Sequence, residues 1–448
     1  MRTRFLVFAV VATLVGLAID VYVYRRWRRF ARERPRLRWT LVPLAVLAGV
    51  MPLVMPGFVL GSRWWEGGTL RGVVIGLWAF HYVPRTLIAA WLLVVDAVRG
   101  VGWIGRWIAR RGATGGTDDG LGMNDMPTTT AVETRPSGVS TATAGDPVVS
   151  IDIPTATADA MSRRDAVRAI GWAAAAVPFV AVGTGLFKTV YDFEVRRLDV
   201  PIAGLDRALD GLRIVQVSDL HAGSFPSHRP VRAAFDLVLE ERGDLIALTG
   251  DFVNNDAAEL AIVARELPRL RAPLGVVGCL GNHDHYADVP DVLAAVRATG
   301  IDVIVNESRT RRIDGAELRI VGTDNTGFRQ RFADLPAALS ALPPRADDPA
   351  MRLLLAHDPT FWDLEARAAG FDLMLAGHTH GGQIGIEAPE ALRWSLARLS
   401  YARWAGLYTD TGDRGPAHVY VNRGLGTTGP PLRLGIRPEV TVLTLRRA

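Results

Sequence analysis

Five short, largely apolar runs in the C-terminal half of the chain each end in a block of aspartate, asparagine or histidine. Leu212–Val217 runs into Ser218-Asp219-Leu220-His221, and Leu245–Thr249 into Gly250-Asp251. Leu274–Leu280 runs into Gly281-Asn282-His283-Asp284. Arg352–Ala356 runs into His357-Asp358, and Leu373–Ala376 into Gly377-His378-Thr379-His380. Apolar runs of four to seven residues read as strands buried on both faces. The carboxyl ends of such strands are where open α/β sheets place their ligands. Core packing does not call for polar side chains at five successive strand ends.

The rest of the C-terminal part supports the same class. Further strands are expected at Leu318–Val321, His418–Val421 and Val440–Leu445. Helical patterns fall between the strands at Val231–Glu241, Ala257–Leu270, Val289–Ala298, Leu335–Ala341 and Phe361–Ala368. This alternation predicts a layered α/β domain over residues 189–448, of roughly 250 residues, enough for a full core.

The N-terminal part is different in kind. Apolar stretches at Phe5–Val23, Trp39–Leu60, Gly72–Val95 and Val167–Phe187 each approach the ~20 residues that cross a bilayer. Three of them place a membrane region at residues 1–112, with spans at 5–23, 39–60 and 72–95. Residues 113–161 are rich in Gly, Thr, Ala, Asp and Pro, lack apolar periodicity, and read as a disordered linker. Residues 162–188 hold the fourth span, and Ser162-Arg163-Arg164-Asp165 before it resembles a twin-arginine export signal. His81, Arg85 and Asp96 in the third span read as shielded or helix-end side chains rather than transport machinery.

Charge follows the same division. Through Lys188 the chain has 22 basic and 12 acidic side chains, a balance of +10; the remainder has 29 and 34, a balance of −5. An acidic C-terminal domain argues against nucleic acid as its partner. Eight arginines in Arg25–Arg38, together with Arg99, Arg106, Arg110, Arg111, Arg163 and Arg164, mark cytoplasmic loops. The fourth span then carries everything after Lys188 outward. The expected location is therefore a multi-pass cell-membrane protein with an extracytoplasmic C-terminal domain. One cysteine, Cys279, excludes a disulfide framework and a thiolate zinc site, and its apolar strand makes it a buried side chain.

Of nine histidines, five stand in the strand-end blocks: His221, His283, His357, His378 and His380. Carboxylate, amide and imidazole without thiolate suit a divalent ion such as Mn, Fe or Zn. A set of this size is too large for one ion with an open position, and it suits two ions ~3.5–4 Å apart sharing a carboxylate.

Read together as D-x-H, G-D, G-N-H-[DE], H and G-H-x-H, the blocks resemble the calcineurin-like metallophosphoesterase family. Asn422-Arg423-Gly424-Leu425-Gly426-Thr427-Thr428-Gly429, then Arg433-Leu434-Gly435 and Pro438-Glu439, are similar to its membrane-anchored bacterial branch, related to UDP-2,3-diacylglucosamine hydrolases. The resemblance implies a four-layer sandwich, two sheets flanked by helices. It implies one metal on Asp219, His221 and His380 and a second on Asn282, His357 and His378, with Asp251 bridging. It implies His283 as the group that stabilises the transition state or protonates the leaving oxygen, with Asp284 orienting its ring. A hydroxide bridging the metals would attack the phosphorus of a phosphodiester, phosphomonoester or pyrophosphate.

Arg423 and Arg433 sit in a glycine-rich segment expected to return to the site, where guanidinium suits phosphate. His285 and His228 are expected at the surface, and His418 in a structural place on its strand. Tethering at a bilayer favours a lipid-linked or cell-envelope phosphate ester as substrate. A binding module that keeps the fold without catalysis is the alternative, and the complete ligand blocks count against it.

Overall fold

The computed structural model describes residues 2–32, 35–60, 68–113, 176–327, 331–387, 392–412 and 414–448. The linker and the Ser162–Asp165 motif lie outside these residues. The chain divides into two units, residues 1–89 with 176–448, and residues 90–175. In the second unit the described part is the end of one long helix.

Two six-stranded mixed sheets carry the C-terminal domain. With strands numbered in chain order, the first sheet runs β1 (Glu194–Ile202), β14 (Glu439–Arg447), β2 (Arg213–Val217), β3 (Leu245–Thr249), β4 (Val276–Cys279), β5 (Asp302–Val303). The second runs β12 (Gly406–Gly412), β13 (Gly415–Val421), β9 (Leu373–Ala376), β8 (Met351–Leu355), β7 (Ala316–Gly322), β6 (Glu307–Ile313). A two-stranded ribbon, β10 (Gly385–Ile386) with β11 (Trp394–Ser395), stands apart. Strands β2 to β5 are mutually parallel, as are β7, β8, β9 and β13. Parallel strands need both faces covered, and β3, β4, β8 and β9 are buried at every residue.

The coverage produces four layers. Ile214, Ala247, Val277, Cys279 and Leu443 of the first sheet meet Ile320, Leu353, Leu375 and Tyr420 of the second in one inner core. The outer face of the first sheet packs on the helix His228–Glu240 through Val231, Phe235 and Val238, and on Val289–Arg297 through Val292 and Val296. The outer face of the second packs on Leu335, Phe361, Trp362 and Phe371. Local sequence sets these helix starts. Ser227, Asp288 and Asp334 each accept a first-turn N–H, and Pro290 and Pro336 take first-turn positions where no N–H is required.

Two expected helices are not α-helical. Ala257–Leu270 forms 3-10 turns at Ala257–Ile262 and Leu267–Arg269. Glu259 is spent on the loop before it, accepting from the N–H groups of Asn254 (2.6 Å) and Asn255 (3.3 Å), and Pro268 interrupts the rest. Around Phe361–Ala368 the chain makes a π-helical turn, Trp362–Ala366.

The N-terminal helices are α1 (Arg2–Arg32), α2 (Leu41–Leu60) and α3 (Gly68–Ala113), followed by the apolar helix α4 (Ala176–Tyr191). Among the described residues two helical stretches are long and apolar enough to cross a membrane, Leu37–Val54 and Val74–Trp107. The side chains read as shielded, His81 and Arg85, are buried against a carboxylate 61 and 65 residues away. Arg85 pairs with Asp20 of α1, His81 Nε2 lies 3.0 and 3.2 Å from its two oxygens, and Tyr82 donates to it at 3.0 Å. Gly16 permits this approach, since a methyl group there would meet the Tyr82 ring at 2.9 Å. A buried charge in an apolar segment persists only when paired, and here the partner comes from another helix.

Candidate dinuclear metal centre

The polar blocks follow β2, β3 and β4 of one sheet and β8 and β9 of the other, and hydrogen bonds draw the two sets of strand ends together. Gln216 Nε2 donates across the sheets to Ala376 O at 2.9 Å and to Thr249 Oγ1 at 2.9 Å. Gly377 N donates to His357 O (2.9 Å), and His378 N to both carboxylate oxygens of Asp219 (3.0 and 3.1 Å). The approach requires glycine at 377, because a methyl group there would overlap Ser218 and Asp219.

Five of the seven expected ligands hold positive backbone φ: Asp219 (49°), His221 (42°), Asp251 (55°), His378 (69°) and His380 (51°). Each such residue costs on the order of 1–3 kcal/mol, and a fold keeps this cost mainly where side chains must converge.

They converge in two groups with one shared member. Ligand atoms of Asp219, His221, Asp251 and His380 lie within 4.8 Å of one another, and so do those of Asp251, His357 and His378. His221 Nε2 and His380 Nε2 face each other at 2.9 Å, and His380 Nε2 lies 3.2 Å from Asp219 Oδ1. His357 Nε2 lies 3.0 Å from Asp251 Oδ2 without a hydrogen bond, while its Nδ1 donates to Thr249 O at 2.7 Å. That bond commits Nδ1 and turns Nε2 toward the shared carboxylate, the nitrogen a metal would take in place of a proton. Asn282 turns its buried Oδ1 into the same space without a hydrogen-bond partner, and its Nδ2 donates to Tyr286 OH at 3.1 Å. Facing imidazole nitrogens, orphaned acceptors and a common carboxylate fit a cation-binding set better than any proton arrangement.

The electrostatics agree. Burial pushes His221 down to about 3 and His378 down to about 4, and with His221 nearby holds His380 well below its usual value. All three are therefore neutral imidazoles, the form that can bind a metal. Burial would also lower His357, but the Asp251 and Asp219 carboxylates raise it to about 10. Burial pushes Asp219 up to about 6, and the charge on Asp251 adds to this. Burial would raise Asp251 too, yet His357, His283 and His221 hold it well below the carboxylate range. The centre thus concentrates negative charge at Asp251, between the two groups.

His283 stands beside this set. Its Nδ1 donates to Asn254 O at 2.7 Å, and the ring borders a cleft of about 320 Å³ with Asp251, Asn282, His378 and His380. Asp284 does not orient the ring as expected. Its two oxygens accept from the N–H groups of Asp251 (3.0 Å), Phe252 (2.8 Å), Val253 (3.3 Å) and Gly281 (2.9 Å). The carboxylate shapes the turns that present Asp251 and Asn282, so it positions candidate ligands, and the histidine relies on a carbonyl.

Arg423 and Arg433 are also placed differently from expectation. Both are 0% exposed and present no guanidinium to the cleft. Arg423 pairs with Glu439, Glu387 and Glu194. Arg433 Nη2 donates to the carbonyls of Arg423 (2.9 Å), Gly424 (3.1 Å) and Gly426 (2.6 Å). That loop in turn donates from Leu425 N to Ser218 O (3.0 Å) and from Gly426 N to Asp219 O (2.8 Å). The arginines brace the Asp219 turn from behind.

His285 is half-buried rather than at the surface, 2.6 Å from Asp324 and stacked on Phe332 at 4.3 Å. His228 is likewise half-buried, and His418 is structural, with Nε2 donating to Pro201 O at 2.7 Å. Three cleft residues were not anticipated: Tyr286, Tyr401 and Thr428. Tyr286 is four residues beyond Asn282, a detectable signal. Tyr401, whose hydroxyl lies 2.8 Å from His378 Nε2, belongs to no motif.

Comparison with known proteins gives the same reading. Residues 212–382 match the family described as calcineurin-like phosphoesterase, and residues 2–190 match one described as probable calcineurin-like phosphoesterase, transmembrane domain. The chain is 30% identical over 295 residues to the uncharacterized metallophosphoesterase YkuE of Bacillus subtilis, covering 64% of this chain and 98% of that one. It is 30% identical over 237 residues to the phosphodiesterase YaeI of Escherichia coli, covering 52% and 82%. It is 30% identical over 277 residues to a transmembrane protein with metallophosphoesterase domain of Danio rerio, covering 59% and 60%. Similar to YkuE along nearly that protein's whole length, and with a cluster of side chains able to bind metal, the chain belongs to the calcineurin-like metallophosphoesterase family and is a metal-dependent phosphoesterase.

Proposed function

We propose that the chain hydrolyses a phosphodiester or pyrophosphate at the membrane surface, with phosphomonoesters as a further class, using two divalent ions joined through Asp251. The observation that carries this reading is the pair of ligand groups sharing that one carboxylate. Asp219, His221 and His380 would hold one ion, and Asn282, His357 and His378 the other; Mn, Fe and Zn all suit the donors. Two such ions supply the charge that draws in a phosphoryl group and makes water nucleophilic at neutral pH.

The chain's own residues divide the remaining work. The neutral amide of Asn282 limits the negative charge of the centre, so an anionic phosphate can enter. His283, pinned through Nδ1, has Nε2 left to hand a proton to the leaving oxygen. The hydroxyls of Tyr286, Tyr401 and Thr428 rim the cleft within reach of a bound ester. Membrane attachment favours a lipid-linked or cell-envelope substrate, because the tether raises its local concentration.

The full chain in nanodiscs, supplied with Mn, is expected to turn over an aryl phosphodiester and at least one ester from a panel of lipid pyrophosphates, nucleotides and cell-wall fragments. Activity on phosphomonoesters alone would overturn the bond class proposed.

We further propose that the catalytic domain faces outward. Two arginine-rich segments, Arg25–Arg38 and Arg99–Arg164, are separated by two expected spans and can share the cytoplasmic side. One more span then places the domain opposite. Protease added to intact spheroplasts is expected to digest the domain, and protection until the membrane is permeabilised would refute this orientation.

A further inference from the structure

Apolar exposure in the C-terminal domain is concentrated in one place. Among the described residues after Lys188, seven large hydrophobic side chains are exposed, and five of these are Ile386, Leu392, Trp394, Leu396 and Leu399, at 50, 62, 41, 43 and 76%. Scattered exposed side chains need no explanation, whereas a cluster of this kind marks an interaction surface. The inner side of the same stretch is firmly built. Ser395 bonds Gly381 O, Ala397 N donates to Ser395 Oγ (3.1 Å), and Trp404 packs with Ala397 and Ile436. The outer apolar side is therefore held out by a rigid base.

Its neighbour is an apolar helix. Trp394, Ile384, Ile386 and Leu434 line a groove of about 480 Å³ whose other wall is Ala181 and Thr184 of α4. Helix α4 is fixed to the domain by Val182 and Leu186 against Leu432. It leaves Val177, Val180 and Phe187 exposed, and it falls within the region that matches the transmembrane-domain family. Ala181 is seven residues before Lys188, so Trp394 stands roughly 10 Å down the helix from the chain's single lysine. Tryptophan is enriched at the headgroup level of bilayers. Arg393 and Arg398 lie between the apolar residues, the mixture of basic and apolar groups found in interfacial anchors.

We propose that Ile386, Leu392, Trp394, Leu396 and Leu399 form a lip that inserts into the bilayer surface beside α4, with lipid filling the groove between them. The lip runs directly into Tyr401 of the cleft, and the ribbon strand that carries Ile386 begins five residues after His380. A lip so placed would bring amphiphilic esters close to the centre without their leaving the bilayer. This surface stands independently of the hydrolytic chemistry.

The single cysteine is buried, so introduced cysteines can be labelled selectively. Full chains carrying Leu399→Cys, Leu392→Cys or Leu364→Cys would be labelled with a polarity-sensitive fluorophore and reconstituted in phosphatidylcholine–phosphatidylglycerol vesicles. Leu364 is comparably exposed and belongs to the separate turn Trp362–Ala366, outside the lip. Blue-shifted emission at 399 and 392, with quenching by doxyl-labelled lipid several-fold above that at 364, is expected. Quenching at 399 and 392 no greater than at 364 would overturn the lip. A blue shift without lipid quenching would assign the surface to a protein contact, and would overturn it equally.

Discussion

Asp251→Asn is expected to lower both the number of bound metal ions and the rate. Asp219, His221, His380, His357 and His378 each belong to one group of candidate ligands, whereas Asp251 belongs to both. Its position is also built by others: His283 N donates to Asp251 Oδ1 at 2.8 Å, and the Asp284 carboxylate holds its backbone. An amide keeps the size but loses the negative charge that balances two cations. Loss of a residue that merely supports a ligand costs about 10–100-fold in affinity or activity, so loss of the shared ligand should exceed about 100-fold. Metal analysis alongside the assay would check this. Two ions retained with full activity would remove the shared role.

His283→Ala is expected to act differently, keeping both ions and slowing turnover by about 10²–10⁴, the usual worth of a positioned acid or base. The histidine borders the cleft but belongs to neither ligand group, and its Nδ1 is already committed to Asn254 O. The loss should shrink for esters whose leaving group needs no proton, such as nitrophenolate. A series of leaving groups measured on both forms gives the slope. Metal loss in the variant would make His283 a ligand or a fold element instead.

What the sequence revealed depended on burial. The eight expected strands correspond to β2, β3, β4, β7, β8, β9, β13 and β14, each largely apolar because both faces are covered. The strands that went unread include the edges β1, β5, β6 and β12. Glu194–Ile202 and Glu307–Ile313 carry charges that blunt an exposed edge, and those charges hide the strand from an apolar search. The same logic separates the site residues. Ligands sit next to buried strands at fixed offsets and could be found by spacing. Asp284 could be assigned to the site but not to its partners, because the four N–H groups it accepts from are set by the fold. Arg423 was read from its chemistry, yet its three carboxylate partners come from three distant segments, Glu194, Glu387 and Glu439. Asp20 and Arg85 illustrate the same limit inside the membrane region.

The central claim is that one centre holding two ions through Asp251 performs the hydrolysis. The most direct test is a Mn titration of the chelated full chain, with bound metal and aryl phosphodiester turnover measured on the same samples. Turnover should be negligible without metal and should rise with the second equivalent bound. Full turnover at one ion per chain, or equal rates after thorough chelation, would contradict it.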